Sequence, residues 1–461
     1  MNSQSKKMEL LGSASIPKAL LAMGIPTMIG MLVNAFYNLV DAYFVGGLGE
    51  SQMGAISVVY PLGQVVVGLG LLFGNGAASY ISRLLGRGDK ENANKVASTA
   101  LYSSVSVGAV IIIISMVFLH PILKLLGATD SILPFAATYA SVYIVSCIFN
   151  VFNVTMNNIV TSEGAAKTTM CALLTGAVLN IALDPLFIYV FDLGVAGAAI
   201  ATAISQVVST CVYQIYILRK KSVFHFRVKD CTYTKETMSE IFKIGIPTLV
   251  FQILTSVSIS LINNAAGDYG DSAIAGMGVV TRLISMGSLS VFGFIKGFQP
   301  IAGYSYGAKK FDRLREAIKT SILWSTVFCV IFGVILALFP AAIVSRFTKG
   351  DAEMIRIGAA SLRANGISIM LFGFYTVYSS LFLALGKGRE GFILGACRQG
   401  ICFIPVILLL PIVWGINGIM YAQPIADVLS AVITVFMAIP LHKKLNEMQK
   451  QTAAISTNDN N

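Results

Sequence analysis

Apolar residues in this chain fall into long, nearly unbroken runs separated by short polar stretches, instead of the 3.6-residue or two-residue alternation of a half-buried soluble element. Twelve runs have about the twenty residues that a bilayer-crossing helix needs: 16–45, 53–82, 94–122, 132–160, 166–190, 194–218, 241–267, 272–303, 317–341, 354–385, 390–412 and 416–440. None is set apart as a soluble domain. The first follows a polar stretch with Lys6, Lys7 and Lys18 and lacks a short apolar core with a small-residue cleavage site, which predicts an uncleaved first helix. The expected fold is all-α, a polytopic membrane protein of twelve spanning helices.

A repeat runs through the chain at an offset of 221: GIPT at 24–27 returns at 245–248, Gly49 and Ser51 return as Gly270 and Ser272, Gly76 and Gly86 as Gly297 and Gly307, and Gly194 and Gly197 as Gly415 and Gly418. Six helices per copy is an even number, so both copies start on the same side. The pattern predicts two parallel six-helix bundles related by a pseudo-two-fold axis along the membrane normal, the usual plan of a secondary transporter. The expected parts are an N-terminal lobe at 1–218, a linker loop at 219–240, a C-terminal lobe at 241–445 and an unstructured polar tail at 446–461.

Composition agrees with the pattern, at 56% hydrophobic and 12% charged residues, and the formal net charge is +11. Nucleic acid would need those basic residues on one soluble face. They lie mostly in the connections on one side, including the basic stretch at 219–229, while the other side receives Lys124, Arg346, Lys349 and Arg356. By the positive-inside rule both termini are expected in the cytoplasm, with the chain in the cytoplasmic membrane. The seven cysteines are odd in number and include no C-x-x-C pair, so free thiols are expected. No phosphate-binding G-x-x-x-x-G-K-[ST] loop is present, which leaves an ion gradient as the energy source for uphill transport.

The duplication serves as an internal control. Asp41 maps to Ile262 and Asp184 to Pro405, so the scaffold demands neither acid. A carboxylate in a span costs at least ~2.5 kcal/mol on insertion scales, so a chain that keeps one usually uses it. At 1.5 Å per residue the two acids lie about 7 and about 12 Å from the outer boundary, within side-chain reach of each other. Polar residues recur at helical spacing around them: Asn34, Tyr37, Asn38 and Asp41 in the first helix, Asn150, Asn153 and Asn157 in the fourth, Asn180 and Asp184 in the fifth, Thr202 and Gln206 in the sixth. Lipid will not hydrate such stripes, so they should face one another. Asp41, Asp184, Asn180 and Thr202 would form a hard oxygen set for a proton or for sodium, with a structural polar cluster as the alternative. Pro26 and its copy Pro247 should bend the first and seventh helices, either as static kinks or as hinges. Among the remaining intramembrane charges, Lys296 is expected to snorkel from near the cytoplasmic end, and Asp427 to pair with Arg398 or Arg282. Arg363 has no assigned partner.

The leading segment IPTMIGMLVNAFYNLVDAYFVGGLG, LNIALDPLFIY in the fifth helix and GVAGAAIATAISQ in the sixth, together with the repeat, resemble the multidrug and toxic compound extrusion (MATE) family over about residues 15–443. The resemblance implies a V-shaped pair of lobes that exports small amphipathic, often cationic, drug-like compounds in exchange for protons or sodium. It implies an N-lobe ion site at Asp41, Asn180, Asp184 and Thr202, with Tyr37, Tyr139 and Asn157 nearby and Pro26 as the bend. A second branch of the family places its cation site on carboxylates of the seventh and tenth helices. Here those helices offer Gln252, Tyr375 and Tyr378. The expectation is an antiporter and no enzyme, without a cofactor beyond the coupling ion, with a small amphipathic molecule and the bilayer as partners and a monomer as the default. The alternatives are a flippase for a lipid-linked oligosaccharide or an exporter of one metabolite on the same fold. The substrate cavity and its supporting polar network are expected at Tyr37, Asn34, Tyr139, Asn153, Asn157 and Gln206.

Overall fold

The computed structural model describes residues 3–48, 50–348 and 351–458; Gly49 and Lys349, named above, lie outside the described residues. A short helix α1 (Ser3–Gly12) leads into α2 (Ile16–Gly46), α3 (Glu50–Gly86), α4 (Lys90–Val117), α5 (Leu119–Leu125), α6 (Leu133–Ser162), α7 (Ala166–Pro185) and α8 (Gly194–Leu218). The second half comprises α9 (Lys235–Gly267), α10 (Asp271–Gly307), α11 (Phe311–Leu338), α12 (Pro340–Val344), α13 (Ala352–Ser368), α14 (Phe372–Ala384), α15 (Gly388–Ala396), α16 (Phe403–Trp414) and α17 (Ile416–Asn458). A π-turn at Leu186–Val190 extends α7, another at Cys397–Ile401 joins α15 to α16, and a 3-10 turn at Ile369–Leu371 joins α13 to α14. With those joints, twelve helices among the described residues are long and apolar enough to cross a membrane, and each overlaps an apolar run seen in the sequence. Large apolar side chains such as Ile113, Val117, Leu338 and Phe436 stand exposed on their outer faces, where lipid would cover them.

The helix starts are set by polar caps, which is why they differ from the edges of the apolar runs. Asp89 accepts the Asn92 N–H at 3.1 Å and begins α4 at Lys90. The Thr234 hydroxyl accepts the Thr237 N–H at 3.3 Å, so α9 begins at Lys235 and the linker closes before 240. The Asp351 carboxylate accepts the N–H groups of Met354 and Glu353, each at 3.0 Å, and the Ser272 hydroxyl at 2.6 Å. Those donors hold its carboxyl below the usual carboxylate range.

The tail expected to be unstructured at 446–461 is instead, as far as Asn458, the continuation of α17, and residues 459–461 lie outside the described residues. Gln449 donates to Asp312 Oδ1 at 2.5 Å and Asn446 accepts from Arg315, so polar contacts with α11 carry the helix past its apolar run. The linker is likewise tied down. Its basic residues are exposed, as expected of a solvated loop, but Phe224 and Phe226 are buried. Ser222 and the Val223 N–H both bond Glu163 Oε2, and Lys7 of α1 reaches Glu163 at 3.2 Å and also Tyr216 and the Lys221 carbonyl. Burial holds the Lys7 ammonium below the ordinary lysine range, while Glu163 pulls it upward.

Residue pairs related by the repeat occupy equivalent places. An added Cβ on Gly86 would lie 2.1 Å from the Tyr304 carbonyl oxygen, and one on Gly307 would lie 2.1 Å from that of Arg83. Gly86 and Gly307, and Arg83 and Tyr304, are each 221 apart, so α3 and α10 cross about a local two-fold axis with backbone against backbone. Gly194 and Gly415, the repeated residues at the starts of α8 and α17, have φ of 53° and 57°. Only glycine adopts that left-handed conformation freely. Helix α2 continues through Pro26, and the Thr27 hydroxyl bonds the Met23 carbonyl at 2.8 Å; the copies Thr248 and Ile244 do the same at 3.0 Å.

The lobes share their buried core toward the end that carries both termini: Ile81 of α3 packs in one cluster with Ile241 of α9, and Met23 of α2 in another with Phe294 and Phe298 of α10. At the opposite end the clusters are separate, with Val45, Val59 and Ile188 in the first lobe and Met277, Phe403 and Ile419 in the second. One end of the molecule is therefore stitched between lobes and the other is not.

The close crossing gives a test. Gly307→Ala forces the Arg83 carbonyl away and should cost about 1–3 kcal/mol, as overpacking typically does. Thermal unfolding in detergent should show a clear loss for Gly307→Ala and none for Gly267→Ala, where an added Cβ meets nothing within 4 Å.

Candidate functional site

Helices α2 and α7 run in the same direction and approach where Gly30 faces the Leu173 side chain, which an added Cβ would meet at 2.8 Å. Eleven residues beyond each of these positions stands an aspartate, Asp41 on α2 and Asp184 on α7. Equal rise along two parallel helices brings them to one level. The Asp184 carboxyl lies in the electrostatic field of Asp41. Asn180, one turn before Asp184, donates from Nδ2 to Asp184 Oδ1 at 3.3 Å and to Thr202 Oγ1 of α8 at 3.4 Å. The four residues expected to form an ion site are thus brought together, with Asp184 fully buried.

Three acceptors in this group, Asp41 Oδ1, Asp184 Oδ2 and Asn180 Oδ1, are buried without a hydrogen-bond partner among the described residues. Buried acceptors are ordinarily satisfied, so a cluster of unsatisfied ones can take up a proton or a small cation. Tyr37 interacts electrostatically with both acids. Tyr139 and Tyr143 stack with ring centroids 5.4 Å apart, and both lie in the field of Asp41. Tyr143 was not among the expected residues. Its signal in the sequence is the position one helical turn after Tyr139, on the same face of α6.

The other expected residues go elsewhere. Asn34 is exposed, and its carbonyl accepts from the Asn38 amide at 2.7 Å. Asn153 donates to Gln206 Oε1 at 2.8 Å and accepts from the Thr210 hydroxyl at 3.0 Å, clipping α6 to α8. Asn157 donates to the Tyr213 hydroxyl at 3.4 Å and accepts from Lys296 of α10 in the other lobe. Lys296 therefore does not snorkel. An amide oxygen across the lobe boundary holds its ammonium instead.

A cavity of about 500 Å³ lies largely in the second lobe, walled by α9, α10, α14, α15 and the Cys397–Ile401 turn, with Met31, Leu71, Asn75 and Asn158 contributed by the first. None of the six residues expected for the substrate cavity and its supporting polar network lines it. Phe251, Phe292, Phe372 and Tyr375 form a chain of edge-to-face rings along its wall, with successive centroids 6.0, 5.3 and 5.4 Å apart. Two polar contacts cross from lobe to lobe at its edge: Gln252 donates to Gln64 Oε1 at 2.8 Å, and Asn75 donates to the Thr248 hydroxyl at 2.8 Å. Behind the wall Arg398 Nε bonds Asp427 Oδ1 at 3.1 Å, and Gln423 and Tyr375 reach the same oxygen at 2.9 and 3.3 Å. Ser368 reaches the other oxygen at 2.9 Å, and the guanidinium lies 4.6 Å over the Phe372 ring. The expected partner of Asp427 is therefore Arg398, while Arg282 and Arg363 are exposed.

The MatE family profile matches residues 26–186 and again 247–409, two segments whose starts are 221 residues apart. The chain is 33% identical over 433 residues to the multidrug export protein MepA of Staphylococcus saprophyticus, covering 94% of this chain and 95% of that one. It is 32% identical over 429 residues to the protein of the same name from Staphylococcus aureus, covering 93% and 94%. Among solved structures, one described as the outward-facing conformation of a multidrug resistance MATE family transporter of the MOP superfamily superposes with a TM-score of 0.89. It shares 26% identity and is covered over 96% of this chain and 99% of that one.

Removing the acid of the second-lobe pair would strand a buried guanidinium. Asp427→Asn should destabilise by about 3–5 kcal/mol, as breaking a buried pair does. Thermal unfolding in detergent should therefore drop much further for Asp427→Asn than for Asp41→Asn, because no cation pairs with Asp41 among the described residues.

Proposed function

The chain belongs to the MatE family of multidrug efflux transporters, and from that premise we propose that it is an antiporter which exports small amphipathic molecules in exchange for protons bound at Asp41 and Asp184. The observation that carries this reading is the gathering of two carboxyls that no cation pairs with among the described residues, with Asp41 Oδ1 and Asp184 Oδ2 buried and unpartnered. A proton on one of them supplies a missing donor and removes a charge that nothing beside it offsets. Loss of the proton sets two charges side by side in a medium that hydrates neither, and the two helices are then driven apart.

The cycle follows from the arrangement of the lobes. The stitched end carries both termini, which the distribution of basic residues assigns to the cytoplasm, and this supports an outward-open resting state. Protons entering from outside neutralise the acid pair, close α2 onto α7 and α8, and favour release of the cargo. The deprotonated pair favours the state that reloads from the cytoplasmic side. Proton and cargo thus bind different states, which is the thermodynamic requirement for exchange. Pro26 lies fifteen residues before Asp41 on α2, where the missing backbone bond makes the helix easiest to bend.

The test is efflux from proteoliposomes under a proton gradient alone or a sodium gradient alone. A proton gradient should suffice, and Asp41→Asn and Asp184→Asn should each abolish gradient-driven efflux. Sodium-driven efflux without a proton gradient would replace the proton by sodium at the same oxygens. Undiminished proton-driven efflux in Asp41→Asn would sink the assignment of the coupling site.

A further inference from the structure

The wall of the 500 Å³ cavity includes two cationic side chains, Lys296 and Arg398, and no aspartate or glutamate. The two are not equivalent. Arg398 is compensated from behind by Asp427 at 3.1 Å, so the pair is close to neutral. Lys296 has no carboxylate partner among the described residues, and its ammonium donates only to an amide oxygen, that of Asn157. The two acids of the first lobe do not line this space. A lone ammonium on a largely apolar wall is a positive charge that no acid of the described residues offsets.

We infer that this second-lobe cavity binds a drug-sized amphipathic anion, with Lys296 as its counter-charge and the ring chain of Phe251, Phe292 and Phe372 as the seat of its apolar body. This deepens the efflux reading above and rests on it for the cavity being a cargo site. It also reverses the polarity that the family resemblance implies for the cargo. A volume of about 500 Å³ lies in the usual range for one drug-sized ligand and is too small for a diacyl lipid with both chains. A cation of the same shape would meet Lys296 with nothing to offset the repulsion. Because Lys296 also holds Asn157 of the other lobe, an anion that competes for the ammonium would act on the lobe boundary as well as on the wall.

The experiment uses two probes of matched shape and opposite charge, tetraphenylborate and tetraphenylphosphonium. Their binding to the purified full-length protein is measured by equilibrium dialysis in a neutral detergent, against protein-free micelles. Wild type should bind the borate at least ~10-fold more tightly than the phosphonium, since one uncompensated charge in a low-dielectric site is worth that much or more. Lys296→Met should erase the preference by weakening the borate, and Lys296→Arg should retain it. If Lys296→Met does not fold, the wild-type ratio together with Lys296→Arg still decides the matter. Equal binding of the two probes, preference for the phosphonium, or a borate preference that persists in Lys296→Met would overturn the inference. So would displacement of no borate but saturable binding of phosphatidylglycerol, which would make Lys296 a lipid-headgroup contact. No gradient is present, so a failure of coupling at Asp41 would leave this readout intact.

Discussion

The two lobes are joined where backbone meets backbone at the crossing of α3 and α10. Gly86 and Gly307 allow each helix to rest on the other's carbonyls, and no side chain intervenes to cushion or lengthen the contact. Membrane helices lack a hydrophobic drive to associate, because lipid is as apolar as their side chains, so close approach at small residues is what holds them. Fixing this end leaves the opposite ends as two independent apolar clusters.

On that shared frame the copies have diverged in how they carry charge. The first lobe gathers two acids with buried oxygens left unpartnered among the described residues. The second holds an acid against an arginine and closes the account with Gln423, Tyr375 and Ser368. The first cluster keeps unpartnered oxygens among the described residues, and the second is paired within itself. The acid cluster and the cavity thereby lie largely in different halves, connected through the lobe boundary at Lys296 and Asn157, Gln64 and Gln252, and Asn75 and Thr248.

The sequence by itself determined the twelve helices, their duplication and which four polar residues of the first lobe would gather around Asp41 and Asp184. Length of apolar run, a fixed offset and the cost of an acid in lipid are each readable from a string. Asp41 and Asp184 meet because they sit equally far along two parallel helices from a glycine crossing, and the sequence places them at similar depth even before the crossing is known. The helix edges were less legible, since Asp89, Thr234 and Asp351 begin their helices in polar segments that hydropathy does not mark. Only the tertiary structure decided which polar residues share a site. Asn153, Asn157, Asn180 and Gln206 look alike on their helices, yet one pair clips α6 to α8, one reaches a lysine of the other lobe, and one serves the acids. Helical spacing fixes the face a side chain presents, but the partner on that face depends on how helices from distant parts of the chain are packed.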